Sequence, residues 1–125
     1  MTIPYLIDCL SGYCPVQGEG FIGPLPGGQV LPFYFRARGQ RWEFSIAHTP
    51  GAGVDAAVDV GLDRGEPDGW YRSEPWGDEA HAAGYMPHEE AERIINEAIA
   101  YWAREVLPGQ DLDALAVQAL DGGIR

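Results

Sequence analysis

The alternation of apolar and polar side chains across Leu31–His48 constrains this chain more than any other feature of its sequence. Leu31, Phe33, Phe35 and Ala37 alternate with Pro32, Tyr34, Arg36 and Arg38; beyond Gly39-Gln40, Trp42, Phe44 and Ile46 alternate with Arg41, Glu43 and Ser45. A period of two belongs to a half-buried strand, and a two-residue loop that begins with glycine suits a type II′ turn. With Arg38 and Arg41 flanking the turn, Ala37 opposes Trp42, Phe35 opposes Phe44 and Phe33 opposes Ile46 on one face. Arg36 then opposes Glu43 on the other. A slip of one residue would turn every apolar side chain outward, so the burial pattern itself sets the register.

The flanking segments extend this hairpin. Tyr13–Phe21 reads as a strand interrupted by Gly18 and Gly20 and joined onward through Gly23-Pro24-Leu25-Pro26-Gly27-Gly28. After a loop at Thr49–Gly53, Val54, Ala56, Val58, Val60 and Leu62 alternate with Asp55, Ala57, Asp59, Gly61 and Asp63, which predicts a fourth strand with an acidic outer face. Trp70–Glu74 is a candidate short final strand. Pro87, followed by His88, Glu89 and Glu90, opens a helix. Ala91, Ile94, Ile95, Ala98, Trp102 and Val106 fall on one side of it, Glu89, Arg93 and Glu97 form an i, i+4 ladder on another, and Leu107-Pro108-Gly109 stops it. Asp111 caps a short second helix that ends near Leu120. Strands first and helices afterwards predict an α+β fold: an antiparallel sheet of three to five strands, a long C-terminal helix on its apolar face and a short second helix. The 125 residues form a single domain, with an N-terminal segment over 1–12, the sheet over 13–76 and the helices over 86–120.

Charge narrows the chemistry. Nineteen acids against eight basic residues give −11, and every basic residue is an arginine. Without lysine, the P-loop, the kinase-type site and Schiff-base chemistry are excluded. Asp8, Glu19 and Glu43 balance Arg36, Arg38 and Arg41 in residues 1–54, so the whole excess falls on residues 55–125. Such a field disfavours direct contact with nucleic acid or anionic lipid and favours basic surfaces. No apolar run reaches the length of about 20 residues that a membrane span needs. The opening Met1-Thr2-Ile3-Pro4-Tyr5 is unlike a secretory signal, so the expectation is a cytoplasmic protein with Cys9 and Cys14 as free thiols.

Several motifs weaken on inspection. Gly18-Glu19-Gly20-Phe21-Ile22-Gly23 matches the dinucleotide fingerprint in letters, but Pro24 and Pro26 follow where the motif requires a helix. Cys9, Cys14, His48, His81 and His88 lack the paired spacing of a structural zinc site. Asp63–Gly69 puts Gly65 and Pro67 where a calcium loop needs oxygen ligands. No metal and no cofactor are expected, and no catalytic residue stands out. Glu19 is the best single candidate acid, a carboxylate among glycines. Trp70, Tyr71, Trp76 and Tyr85 lie among Asp68, Glu74, Asp78 and Glu79, a combination that suits a protein interface.

Cys14-Pro15-Val16-Gln17-Gly18-Glu19-Gly20, Pro32-Phe33-Tyr34-Phe35-Arg36-Ala37-Arg38, Trp42 and Ala83-Gly84-Tyr85-Met86-Pro87 resemble a set of small proteins encoded by bacteriophages and prophages. The resemblance covers about residues 14–107, and Gly51–Gly65 looks like an insertion relative to it. That set carries no established activity, so no catalytic residue transfers. The resemblance implies a phage context, in which small acidic proteins often disarm host defences such as CRISPR complexes. The leading expectation is therefore a non-enzymatic interaction protein that occludes a basic nucleic-acid-binding surface of a host protein or ribonucleoprotein. Asp55, Asp59, Asp63, Glu74, Asp78 and Glu79 would supply the field, and Trp70, Tyr71 and Trp76 the anchors. The alternative is a protein binding a small ligand or nucleotide derivative, possibly as an enzyme. Its pocket would lie under the glycine-rich hairpin, with Glu19, Tyr34, Arg36 and Arg38 facing the ligand.

Overall fold

A computed structural model describes residues 3–64 and 68–110. Five strands form one antiparallel meander in sequence order: β1 (Tyr5–Ser11), β2 (Val16–Ile22), β3 (Leu31–Arg38), β4 (Arg41–Ala47) and β5 (Gly69–Pro75). The β3–β4 register is the one the apolar pattern dictates, with Phe33 opposite Ile46, Phe35 opposite Phe44, Ala37 opposite Trp42 and Arg36 opposite Glu43. The candidate final strand is β5, paired with β4 from Arg41–Pro75 to Ala47–Gly69.

The N-terminal segment is itself a strand. β1 pairs with β2 at Tyr5–Ile22 and Ile7–Gly20, shifts between Ile7 and Cys9, and resumes at Cys9–Glu19, Leu10–Gly18 and Ser11–Gln17. The bulge leaves Asp8 as an extra residue and returns Leu10 to the side already occupied by Tyr5 and Ile7, where all three pack against the core. Apolar spacing of two and then three is why simple alternation does not reveal this strand.

Residues Val54–Leu62 form a helix, α1, and not the fourth strand that their alternation predicts. The same letters also carry the helical spacing i, i+3, i+4. Ala57 and Val60 are buried beside Ala47, and a Cβ on Gly61 would meet Ser45 Oγ at 3.2 Å. Ser45 Oγ donates a hydrogen bond to the Ala57 carbonyl at 2.7 Å, and a Cβ on Gly69 would meet a Val60 methyl at 2.6 Å. Small residues on both elements let the helix lie close on the sheet. β5 takes the place beside β4 that a fourth strand from this segment would have filled.

The long helix α2 (His88–Tyr101) follows Pro87 and continues through a wider π turn over Trp102–Val106 and a 3-10 turn over Leu107–Gly109. Ala91, Ile94, Ile95, Ala98, Ile99 and Trp102 are buried against Val16, Ile22, Phe33, Phe35, Phe44 and Ile46. On its outer side Arg93 bridges Glu90 and Glu97, so Glu90 takes the place expected of Glu89 in the ladder. The short second helix expected over 111–120 lies outside the described residues. The molecule has three layers: α1, the sheet, and α2 with its turns.

Gly18 and Gly20 lie on the α2 face of β2. A Cβ on Gly20 would strike the Leu6 carbonyl and come within 2.8 Å of the Phe33 ring, and one on Gly18 would stand 3.2 Å from Leu10 and 3.4 Å from Ile95. The glycine pattern is thus a packing device that admits large side chains from neighbouring elements.

A buried polar contact ties the turn that follows α2 to the end of β4. Trp102 is buried, and its indole Nε1 donates to Nε2 of buried His48 at 2.9 Å. The indole is only a donor, so Nε2 must accept and the ring is neutral. Burial lowers the His48 pKa below its ordinary value, and the Gln110 side chain and Asp68 oppose that shift. An unfolded imidazole titrates near about 6.5, so the unfolded chain takes the proton first as pH falls. The stability that neutral His48 contributes is complete above that pH and is lost progressively between it and the lower folded pKa. Urea denaturation of the wild type and His48→Gln, which keeps an acceptor for Trp102, should give a stability difference that is constant from pH 8 to 7 and shifts against the wild type from pH 6 to 5. A difference independent of pH would remove His48 as the titrating group.

Candidate functional site: the polar face of the β3–β4 hairpin

Once alternation sends Phe33, Phe35, Phe44 and Ile46 toward α2, the intervening side chains must share the opposite face. Gln17 and Glu19 of β2, Tyr34, Arg36 and Arg38 of β3, Arg41 and Glu43 of β4 and Tyr71 and Ser73 of β5 occupy it in register. α1 covers the end of this face around Tyr34, Ser45 and Ala47. The end at the β3–β4 turn stays open, with Arg38, Arg41 and Glu43 exposed and Arg36 half-buried.

The turn is braced from behind. The Trp76 N–H donates to the Gln40 carbonyl at 2.7 Å and the Ala83 N–H to the Gly39 carbonyl at 2.8 Å. Gly39 adopts φ +64°, as its turn position requires. Trp76, Ala83 and Met86 pack with the α2-side core, so the brace leaves the polar face clear.

The arginines on this face are unequally engaged. Arg41 donates through Nε to Ser73 Oγ at 3.0 Å and through Nη2 to the Ser73 carbonyl at 3.3 Å. Glu43 accepts a hydrogen bond from the Tyr71 hydroxyl at 3.0 Å, and although it opposes Arg36 in the ladder, no ion pair joins the two. Among the described residues the ion pairs are Arg72–Glu74, Arg93–Glu90, Arg93–Glu97 and Arg104–Glu105, none of which uses Arg36 or Arg38. Arg36 Nε is buried without a hydrogen-bond partner among them. A buried N–H donor left without an acceptor is costly.

Two concavities lie along this face. One of about 500 Å³ is lined by Arg36, Arg38, Gly39, Gln40, Arg41 and Glu43. The other, of about 230 Å³, is lined by Cys9, Ser11, Gln17, Gly18, Glu19 and Tyr34. Gln17 opposes Arg36 and Glu19 opposes Tyr34 across the β2–β3 ladder, so the two hollows are neighbours. Burial raises the Tyr34 pKa; Arg36 lowers it, and Glu19 and Glu43 raise it further. Its hydroxyl therefore keeps its proton at neutral pH, available as donor and acceptor.

Glu19, Tyr34, Arg36 and Arg38 come together as the alternative sequence reading requires, on a different surface from the one expected. Gly18 and Gly20 face the α2 core, so the polar hollows lie on the far side of the sheet and not beneath the glycines. Sequence reasoning missed Arg41, Gln17, Cys9 and Ser11. The first was legible from the hairpin register, whereas Cys9 and Ser11 reach this face only because of the bulge in β1.

The residues expected of an acidic docking surface separate. Asp55, Asp59 and Asp63 are exposed on α1. Trp70 lies on the opposite side of the sheet, edge-on to Phe44 and stacked on Tyr101 at 5.9 Å. Trp76 packs against the same core. Tyr71 is on the polar face with Glu43, Glu74 is paired with Arg72, and Asp78 and Glu79 are exposed in the loop after β5.

Cys9 and Cys14 are free and exposed. Among the described residues no group of three or more His, Cys, Asp and Glu is placed to hold a metal ion, and no helix is long and apolar enough to cross a membrane. Comparison with protein-family models, curated proteins and solved structures finds no match.

The couplings around Tyr34 can be read directly. In ultraviolet titration, taking the difference against Tyr34→Phe to isolate this phenol, Glu19→Gln should lower its pKa and Arg36→Gln should raise it. Equal titration in both variants would separate Tyr34 electrostatically from these side chains.

Proposed function

We propose that this chain is a binding protein for an anionic small molecule, held by Arg36, Arg38 and Arg41 at the open end of the polar sheet face. The observation that carries the reading is the buried Nε of Arg36, unpartnered among the described residues, beside Arg38, which makes no ion pair among them. Glu43, the carboxylate opposite Arg36 in the ladder, is held by Tyr71, which leaves the buried Arg36 Nε without an acceptor among the described residues. A phosphate or carboxylate supplies one, because guanidinium groups bind such anions through paired, charge-assisted hydrogen bonds. Glu43 lines the same hollow and opposes an anion there, with one carboxylate oxygen engaged by the Tyr71 hydroxyl, while acids farther off are screened over about 8 Å at physiological ionic strength. The hollow of about 500 Å³ is within the range of small-ligand sites. Inorganic phosphate at about 100 times its Kd should stabilise the native state by about 2.7 kcal/mol, a rise of several °C in Tm for a domain of this size. Arg36→Gln should abolish the rise, and an unchanged rise in that variant would place the anion elsewhere.

A second reading rests on α1. Asp55, Asp59 and Leu62, spaced i, i+4 and i+7, share one stripe of α1 with Leu62 75% exposed, and neither acid pairs with an arginine among the described residues. Such a stripe suits docking on a basic, nucleic-acid-binding surface of a host protein or ribonucleoprotein, as expected of a phage-encoded inhibitor of a defence complex such as CRISPR. In this reading the surface is α1, without the Trp70 and Trp76 anchors. Proteins captured from a bacterial lysate at low salt by the wild type should be lost by the Asp55→Asn, Asp59→Asn, Asp63→Asn triple variant and at high salt. Capture that survives both changes would overturn it.

A further inference from the structure

The two hollows of the polar face differ in chemistry, and their order along β3 specifies more of the ligand than its charge. Resting on the reading of Arg36, Arg38 and Arg41 as an anion site, we infer that the ligand is a sugar phosphate, with its phosphate on the arginines and a pair of its hydroxyls on Glu19 and Tyr34. Neighbouring side chains on one face of a strand stand about 7 Å apart, so Tyr34 and Arg36 are separated by roughly the distance from the phosphorus of a pentose phosphate to its ring diol. Tyr34 and Glu19 oppose each other across the β2–β3 ladder and line the smaller hollow with Cys9, Ser11 and Gln17.

An ionised carboxylate is an acceptor only, so what binds against Glu19 must donate hydrogen bonds. A vicinal diol donates twice. The protonated Tyr34 hydroxyl and the Gln17 amide add groups that both donate and accept, which matches hydroxyls and mismatches a second phosphate. A bisphosphate would put its second charge against Glu19 and is disfavoured. The larger hollow is lined by all three arginines beside one acid, Glu43, and the smaller by Glu19 with no arginine among the described residues. That polarity fixes the direction in which the ligand lies.

Calorimetric titration with inorganic phosphate, ribose 5-phosphate and ribose tests this, using the wild type, Glu19→Gln, Tyr34→Phe and Arg36→Gln, each checked for an unchanged circular dichroism spectrum. The wild type should bind ribose 5-phosphate at least tenfold more tightly than phosphate. Glu19→Gln and Tyr34→Phe should each reduce that advantage while leaving phosphate affinity intact, and Arg36→Gln should weaken both. Equal affinity of the wild type for ribose 5-phosphate and phosphate, or an advantage that survives Glu19→Gln, overturns the sugar assignment and leaves the anion site standing. Binding of neither compound by the wild type overturns both.

Discussion

A single register between β3 and β4 governs everything else in this molecule. Setting Phe35 opposite Phe44, with Phe33–Ile46 and Ala37–Trp42 beside it, gathers the largest buried side chains of the sheet onto one face. The α2 helix has its apolar stripe to cover and does so there. The remaining side chains have no choice. Tyr34, Arg36, Arg38, Arg41 and Glu43 must lie on the other face, and their proximity follows from the packing of residues they never touch. Core and candidate site are two sides of one pleat, so a change in strand pairing would exchange them.

How much of this was legible in the letters depended on whether a segment's burial has one period or two. The hairpin has one, and its pairing could be read residue by residue. The long helix has one as well, with Pro87 before it and Leu107-Pro108-Gly109 at its end. β1 does not: the bulge at Asp8 breaks the rhythm of Tyr5, Ile7 and Leu10. Val54–Leu62 fits two periods at once, because its small residues satisfy a strand's alternation and a helix's stripe equally. The choice was made by tertiary packing, in which Gly61, Gly69 and Ser45 leave room for a helix close to the sheet. The arginine face was readable because it follows from the hairpin. Its neighbour at Cys9 and Ser11 was not, since it depends on the irregular strand.

The electrostatics divide along the same layers. A sequence count places all the excess negative charge in the second half, but the fold distributes that half over both sides of the sheet: α1 on one, α2 and β5's Arg72 and Glu74 on the other. Four ion pairs among the described residues involve Arg72, Arg93 and Arg104. The arginines of the hairpin are left out of this economy, and Glu43, their nearest candidate partner in the ladder, is engaged by Tyr71. A chain with strong overall acidity thus contains a small region of opposite character, set by strand order and not by composition.

The irregularity in β1 reaches beyond the hydrogen-bond ladder. β1 is an outermost strand of an open meander, where unpaired backbone groups can recruit a strand from another molecule. Interrupting it after Ile7, with exposed Asp8 at the break, divides that border into two short runs whose hydrogen-bonding directions no longer match those of one straight incoming chain. The feature that lets Leu10 rejoin the interior therefore also discourages stacking of copies into fibres, a protection that a regular strand of the same composition would lack.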